Sequence, residues 1–320
     1  MNAVPFHRVP SLPFRPVPYE TLPALPRIAH PFFESKEDRI TLRTAHFATT
    51  TLSVRRFGRG AKKLLCVHGL MTSGYSFRYL LERLGDDFEL WIPDLPGAGR
   101  SDAPDVDYAP EHLADLLAAL VRELGLEGAS VVGNSMGGYL CMVLALRHPS
   151  LVGRLVNLHS PGLVTARMRA LSVVLGGLPL ADELLDVLVA KDPRGWAFRN
   201  VHYYDESLKS REEVEEYSAP LQTRAGRKAF MRYLRETLSV RGMRTFEHEL
   251  RERRESSRAF PVPLRLVYAR KDPMVPPSIG PRLAALVPGS TLAWIERGSH
   301  FAHVDAPDDF VAATRTFLLG

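Results

Sequence analysis

Ala129-Ser130-Val131-Val132-Gly133-Asn134-Ser135-Met136-Gly137-Gly138 is the stretch on which the reading of this chain turns. A short apolar strand runs up to Gly133. A helix opens at Met136 and keeps helical apolar spacing to Arg147, where His148-Pro149 stops it. Between them lies G-x-S-x-G, with Ser135 at its centre. A serine on so sharp a turn is forced into a strained backbone, and the glycines two residues either side leave room where a Cβ would clash. The turn lifts Oγ out of the sheet, and the helix behind it aims free N–H groups and its positive dipole end at the same spot. The bare motif arises by chance in roughly one chain in ten of this length. Its weight therefore rests on the strand–turn–helix around it.

Toward the N-terminus, residues 39–57 are rich in β-branched and aromatic side chains, as in two paired strands. Leu64-Leu65-Cys66-Val67 reads as a central strand ending at His68-Gly69-Leu70-Met71. A helix is predicted over 76–84 and a strand over 88–92, the latter running into Asp94-Leu95-Pro96-Gly97-Ala98-Gly99-Arg100-Ser101. An amphipathic helix is predicted over 110–124. After the elbow helix, 155–158 is the next strand. This alternation argues for a mostly parallel sheet covered on both faces.

From 162 to about 255 no convincing strand occurs; 171–190, 212–216 and 222–238 read as helical. Alternation resumes with strands at 264–268 and 291–295 and helices at 281–286 and 307–318. The fold class predicted is α/β, a mostly parallel sheet with helices on both faces and an inserted helical cap. The expected division is an N-terminal arm (1–40), a core in two parts (41–161 and 256–320) and the cap (162–255).

The 320 residues, 45% apolar and 24% charged, suit one large soluble domain with an insertion. Cys66 and Cys141 fall in apolar elements and read as reduced core residues. No HExxH, paired CxxC or P-loop pattern is present. The N-terminus lacks the long apolar run of a signal peptide or membrane helix, which predicts a cytoplasmic protein. Instead, Pro5, Pro10, Pro13, Pro16, Pro18, Pro23, Pro26 and Pro31 favour an extended arm lying along the surface. A ligand for a proline-binding module, from Pro10-Ser11-Leu12-Pro13, is the weaker second reading. Residues 222–258 carry 11 Lys and Arg against 5 Glu, an excess of six, while the whole chain is only +5. That excess reads first as a solvated helical face and second as contact with an acidic lipid surface or anionic substrate. Aromatics are not interleaved there as nucleic-acid stacking would need.

These motifs together resemble the α/β-hydrolase family, in its capped serine-hydrolase, esterase- or lipase-like branch, from about residue 40 onward. The resemblance is carried by the elbow, by His68-Gly69-Leu70, by the Asp94–Ser101 loop, and by a C-terminal pair. That pair is Ala269-Arg270-Lys271-Asp272-Pro273-Met274-Val275-Pro276 and Gly298-Ser299-His300-Phe301-Ala302-His303. It falls in the order nucleophile, acid, base.

The resemblance implies a cofactor-free hydrolase that cleaves a carboxylic ester or similar acyl bond through an acyl-serine. Ser135 is the nucleophile and needs a base within reach. His300 is the implied base, with Asp272 accepting its other imidazole N–H. His303 is the rival base, given a packing role; Asp305 and Asp308 rival Asp272 but follow the histidine. The oxyanion hole is expected from the backbone N–H of Leu70 and Met136. His68 is expected to brace that turn, and Met71 and Tyr75 to line the pocket. Part of 171–190 is expected to face inward over Ser135 and favour an apolar acyl chain, each methylene adding about 0.8 kcal/mol.

A serine at the elbow separates the chain from relatives that open epoxides or displace halide with an aspartate. Two other readings stay open: hydrolysis of a carbon–carbon bond in a diketone-like compound, and a ligand receptor with a silent triad. The implied partner is a small, apolar ester or acyl compound and no nucleic acid.

Overall fold

The computed structural model describes residues 13–177 and 180–320. Eight strands form one sheet in the order β1-β2-β4-β3-β5-β6-β7-β8. They are β1 (Lys36–Thr44), β2 (Ala48–Phe57), β3 (Lys62–Val67), β4 (Phe88–Pro93), β5 (Ala129–Asn134), β6 (Val152–Leu158), β7 (Leu264–Ala269) and β8 (Thr291–Ile295). β1 and β2 pair antiparallel, as do β2 and β4; every other pair is parallel. All strands from β3 onward thus end on one edge, where the loops carrying Gly69, Ser135, Asp272 and His300 gather.

Twelve helices accompany the sheet among the described residues: α1 (Leu81–Leu84), α2 (Pro110–Glu123), α3 (Met136–Arg147), α4 (Ala166–Gly177), α5 (Ala181–Lys191), α6 (Pro193–Asn200), α7 (Arg211–Ser218), α8 (Arg224–Arg232), α9 (Val240–Glu255), α10 (Ile279–Leu286), α11 (Ala302–Asp305) and α12 (Pro307–Leu319). Alternation along the strands builds two cores. Leu65, Val67 and Val131 pack with α2 and α3 on one face, while Leu64, Cys66 and Val132 pack with α1 and α12 on the other. Cys66 and Cys141 are buried free thiols.

Helices α4 to α9 stand between β6 and β7 with no strand among their described residues, the insertion that forms the cap. Two of these helices went unpredicted. α9 is mostly charged and is held by Met243, Phe246 and Leu250, three buried anchors too sparse to give a clear apolar period. α6 is a short helix started by Pro193 and capped by the Asp192 carboxylate on the Gly195 N–H.

The cap's basic stretch is largely paired: Arg227 with Asp186 at 2.7 Å, Arg235 with Asp182 at 2.6 Å, and Lys228 and Arg232 with Asp105. The sequence count missed this because the acids lie outside 222–258. Among the described residues no helix is long and apolar enough to cross a membrane.

The described part of the N-terminal arm lies on the cap. Phe14 N–H donates to Tyr204 O at 3.0 Å, and the Tyr19 ring meets Phe198 edge-on at 5.5 Å. The carbonyls of Pro23 and Ala24 accept from the N–H groups of Arg211 and Glu212 at 2.9 and 3.1 Å, capping the start of α7. Most of Pro10-Ser11-Leu12-Pro13 lies outside the described residues.

The described side chains of the apolar stretch 171–190 divide between solvent and the cap's interior. Leu180, Leu184, Val187 and Leu188 are 71, 58, 62 and 51% exposed. Among the described side chains of the stretch, Ala181, Leu185 and Val189 turn inward, against Leu221, Phe230 and Met231. A helix apolar on two sides has no periodicity from which to tell inside from outside. Residues 178–179 lie outside the described residues.

Candidate active site

Ser135 sits at φ 53°, ψ −119° between β5 and α3, a backbone conformation that L-residues rarely adopt. The turn is held because nothing larger than hydrogen fits around it. A Cβ on Gly133 would lie 2.6 Å from Gly138 Cα, and one on Gly137 would lie 2.3 Å from Val67 O. Ser135 N–H donates to Leu158 O at 2.7 Å, tying the turn to the end of β6. Met136 is the first residue of α3, so its N–H has no intrahelical partner.

The turn after β3 closes on the elbow from the other side. A Cβ on Gly69 would approach Ser135 Cβ to 3.2 Å. His68 braces this turn: its Nε2 accepts from Leu95 N–H at 2.9 Å, so Nδ1 carries the proton and donates to Gly69 O at 2.8 Å. Burial holds this imidazole down to about 4, hence neutral. Met71 follows at φ 61°, and both it and Leu70 are half-buried.

Asp272 and His300 come from the loops after β7 and β8. His300 Nδ1 donates to Asp272 Oδ2 at 2.8 Å, and both side chains are buried. The other carboxylate oxygen accepts from the N–H groups of Met274 and Val275 at 2.7 and 2.9 Å. Burial alone would raise this carboxyl; the charge and hydrogen bond of His300 outweigh it and hold Asp272 below the ordinary carboxylate range. Asn134, beside the serine, donates from Nδ2 to His300 O at 3.2 Å, which joins the elbow to the histidine loop.

The rival groups stand apart from this pair. His303 is buried with its ring 5.0 Å from Phe77, and neither ring nitrogen has a hydrogen-bond partner among the described residues. Asp305 accepts from Ser299 and Tyr204 N–H groups, joining the histidine loop to the cap. Asp308 takes Arg83 at 2.7 Å. Tyr75, expected to line a pocket, is fully buried, its hydroxyl donating to Glu212 at 2.6 Å. It joins core to cap.

One residue of the site escaped sequence reasoning. His159 follows β6 at φ 53°, its Nε2 accepting from Ala269 N–H at 2.7 Å, and its ring centre is 5.5 Å from that of His300. Nδ1 therefore bears the proton and is buried without a hydrogen-bond partner among the described residues. A histidine just past a strand's carboxyl end was the available signal. His159, Asp272 and His300 each offer one donor atom within 4.8 Å of the others. His159 Nε2 and His300 Nδ1 are each already in a hydrogen bond, to Ala269 N–H and to Asp272.

A cavity of about 30 Å³ opens beside the turn after β3, between Leu70, Met71 and Met136 of the core and Leu221, Phe230 and Tyr233 of the cap. Tyr75 does not line it.

Residues 62–307 match the model of the alpha/beta hydrolase fold family, and the chain belongs to that family. Among its relatives is an uncharacterised hydrolase, YugF, of Bacillus subtilis (strain 168), 29% identical over 78% of this chain and 87% of that one. A pimeloyl-[acyl-carrier protein] methyl ester esterase of Aeromonas hydrophila is 25% identical over 84% of this chain and 99% of its own length. The structure of a thermophilic esterase from Thermogutta terrifontis superposes with a TM-score of 0.67, at 19% identity, over 88% of this chain and 98% of that one. Other relatives include a 2-hydroxy-6-oxo-6-(2'-aminophenyl)hexa-2,4-dienoic acid hydrolase and an epoxide hydrolase. The chain is an α/β-fold hydrolase.

Proposed function

We propose that the chain is a serine hydrolase that cleaves a carboxylic ester or related acyl bond, with Ser135 as nucleophile, His300 as base and Asp272 as its orienting acid. The observation carrying this reading is the buried 2.8 Å bond from His300 Nδ1 to Asp272, on a loop tied through Asn134 to the strained serine turn. With Nδ1 protonated, Nε2 is the lone-pair nitrogen, able to take the Ser135 proton as Oγ attacks the carbonyl carbon. The tetrahedral oxyanion then sits on the N–H groups of Leu70 and Met136. His300 returns the proton to the leaving oxygen, the C–O bond breaks, and an acyl-serine remains. Water, deprotonated by the same nitrogen, releases the acid and regenerates Ser135.

The test is a panel of esters, lactones, amides and diketones with pure protein, alongside labelling by a fluorophosphonate. Ester turnover and a single label on Ser135 are expected. The second reading is favoured by the 26%-identical relative from Metapseudomonas resinovorans, a 2-hydroxy-6-oxo-dienoic acid hydrolase, which matches 82% of this chain. Turnover of diketones in preference to esters would favour it.

A further inference from the structure

Resting on the proposed roles of Asp272 and His300, we infer that His159 is a positioning residue for that pair. Its ring ties the segment that carries the acid to the base and holds the two at their working separation. His159 N–H donates to Val267 O at 3.0 Å, and its Nε2 accepts from Ala269 N–H at 2.7 Å. One residue thus holds two peptide units at the end of β7. The pairing of β6 with β7 stops at Leu158 and Val267, because the chain turns away at His159 with φ 53°. The imidazole takes the place of the strand carbonyl that Ala269 would otherwise lack. Asp272 follows three residues on, and its own N–H donates to Ala269 O at 3.5 Å.

On its other side the ring meets the base. Its plane is tilted 35° to that of His300, with ring centres 5.5 Å apart. Tyr268 meets it edge-on at 5.9 Å and is itself anchored by its hydroxyl on Ser160 O at 2.7 Å. The positive φ of His159 costs about 1–3 kcal/mol in a residue with a Cβ, and such strain persists only where the surroundings impose it. Burial holds the ring neutral, down to about 4, although the charge of Asp272 pulls the other way. A charged His159 would compete with His300 for the carboxylate; a neutral one leaves that charge to His300. Without the Nε2 acceptor, Ala269 N–H is buried unpaired and the acid segment is free to shift.

The experiment compares His159→Gln, His159→Phe and His159→Leu. Glutamine offers an amide oxygen about where Nε2 stands, phenylalanine keeps the ring without an acceptor, and leucine keeps neither. Turnover of p-nitrophenyl acetate is measured per live site, counted by fluorophosphonate titration. Proton NMR follows the downfield resonance of the His300–Asp272 hydrogen bond. The leucine and phenylalanine variants are each expected to lower kcat about 10–100-fold with KM within about twofold, as a displaced catalytic group does. Both should lose or broaden the resonance. The glutamine variant should keep it and recover kcat to within about fivefold of wild type. Wild-type kcat per live site in the phenylalanine variant would overturn the inference, as would a glutamine variant no faster than that one. If the leucine variant does not fold, the other two make the same comparison. No ester turnover by wild type and no label on Ser135 would remove the ester reading alone. The resonance then decides: its loss in a folded phenylalanine variant supports the inference, and its persistence there overturns it.

Discussion

Arg78 donates from Nη2 to Glu213 at 2.6 Å, and the two side chains are 0 and 2% exposed. Arg78 lies in the 3₁₀ segment Gly74–Leu80 that follows the turn after β3, and Glu213 in the first turn of α7. Tyr203 also donates to Glu213 at 2.6 Å. A buried charge pair thus joins the loop beside the serine to the cap.

Removing one partner strands the other charge in an apolar interior, at a cost of about 3–5 kcal/mol. Glu213→Leu and Arg78→Met should each lose that much in urea unfolding, whereas the double variant should recover most of it. A single-variant loss below about 1 kcal/mol would mean that water reaches the pair.

Ser135 carries backbone strain as well as the candidate nucleophile. Ser135→Ala keeps the Cβ and hence the strain, so its stability should match wild type while turnover falls by several orders of magnitude. Ser135→Gly relieves the positive φ and should gain about 1 kcal/mol, equally inactive. Thermal melts of the three proteins check the order. A glycine variant less stable than the alanine variant would contradict it.

The buried histidines and carboxyls pull stability in opposite directions with pH. Burial holds His159, like His68, down to about 4, so between about 6.5 and 4 the unfolded chain binds protons that the fold refuses. Their contribution is complete above 6.5 and is lost on acidification. Burial raises Asp305 to about 7, which gives the reverse: its contribution is complete below about 4 and is lost as pH rises through 7. Relative to wild type, His159→Gln should gain roughly 1.4 kcal/mol per pH unit on acidification across its window. Asp305→Asn should lose by a similar slope across its own. Urea unfolding at pH 4.5, 5.5 and 7 gives both slopes, and equal signs would refute the assignment.

The serine turn was legible because its cause is local: Gly133, Gly137 and Gly138 leave no room for a Cβ, and that is written in six consecutive positions. Asp272 and His300 could be nominated because the segments that carry them, each just past an apolar run, resemble the family's acid and base motifs and follow Ser135 in that order. His159 follows such a run too, but a lone histidine there carries no pattern, and only the pairing of β6 with β7 brings it to the Ala269 amide. Tyr75 sits six residues past Gly69, close enough to suggest a pocket; the 3₁₀ turn buries it toward Glu212 instead. The outward stripe of Leu184, Val187 and Leu188 was illegible, because apolarity says that a face is apolar and not which neighbour it meets.

The carbonyls of Pro23 and Ala24 that cap α7 also impose an order on synthesis. The arm leaves the ribosome before α7 does, so its acceptors have no donors until Arg211 and Glu212 follow, nearly two hundred residues later. This contact has high sequence separation, so the arm docks late, after the first part of the sheet has had time to form. Until then it waits in solvent. The prolines suit that wait, because a segment with so many missing N–H groups offers a poor edge for another chain to pair with.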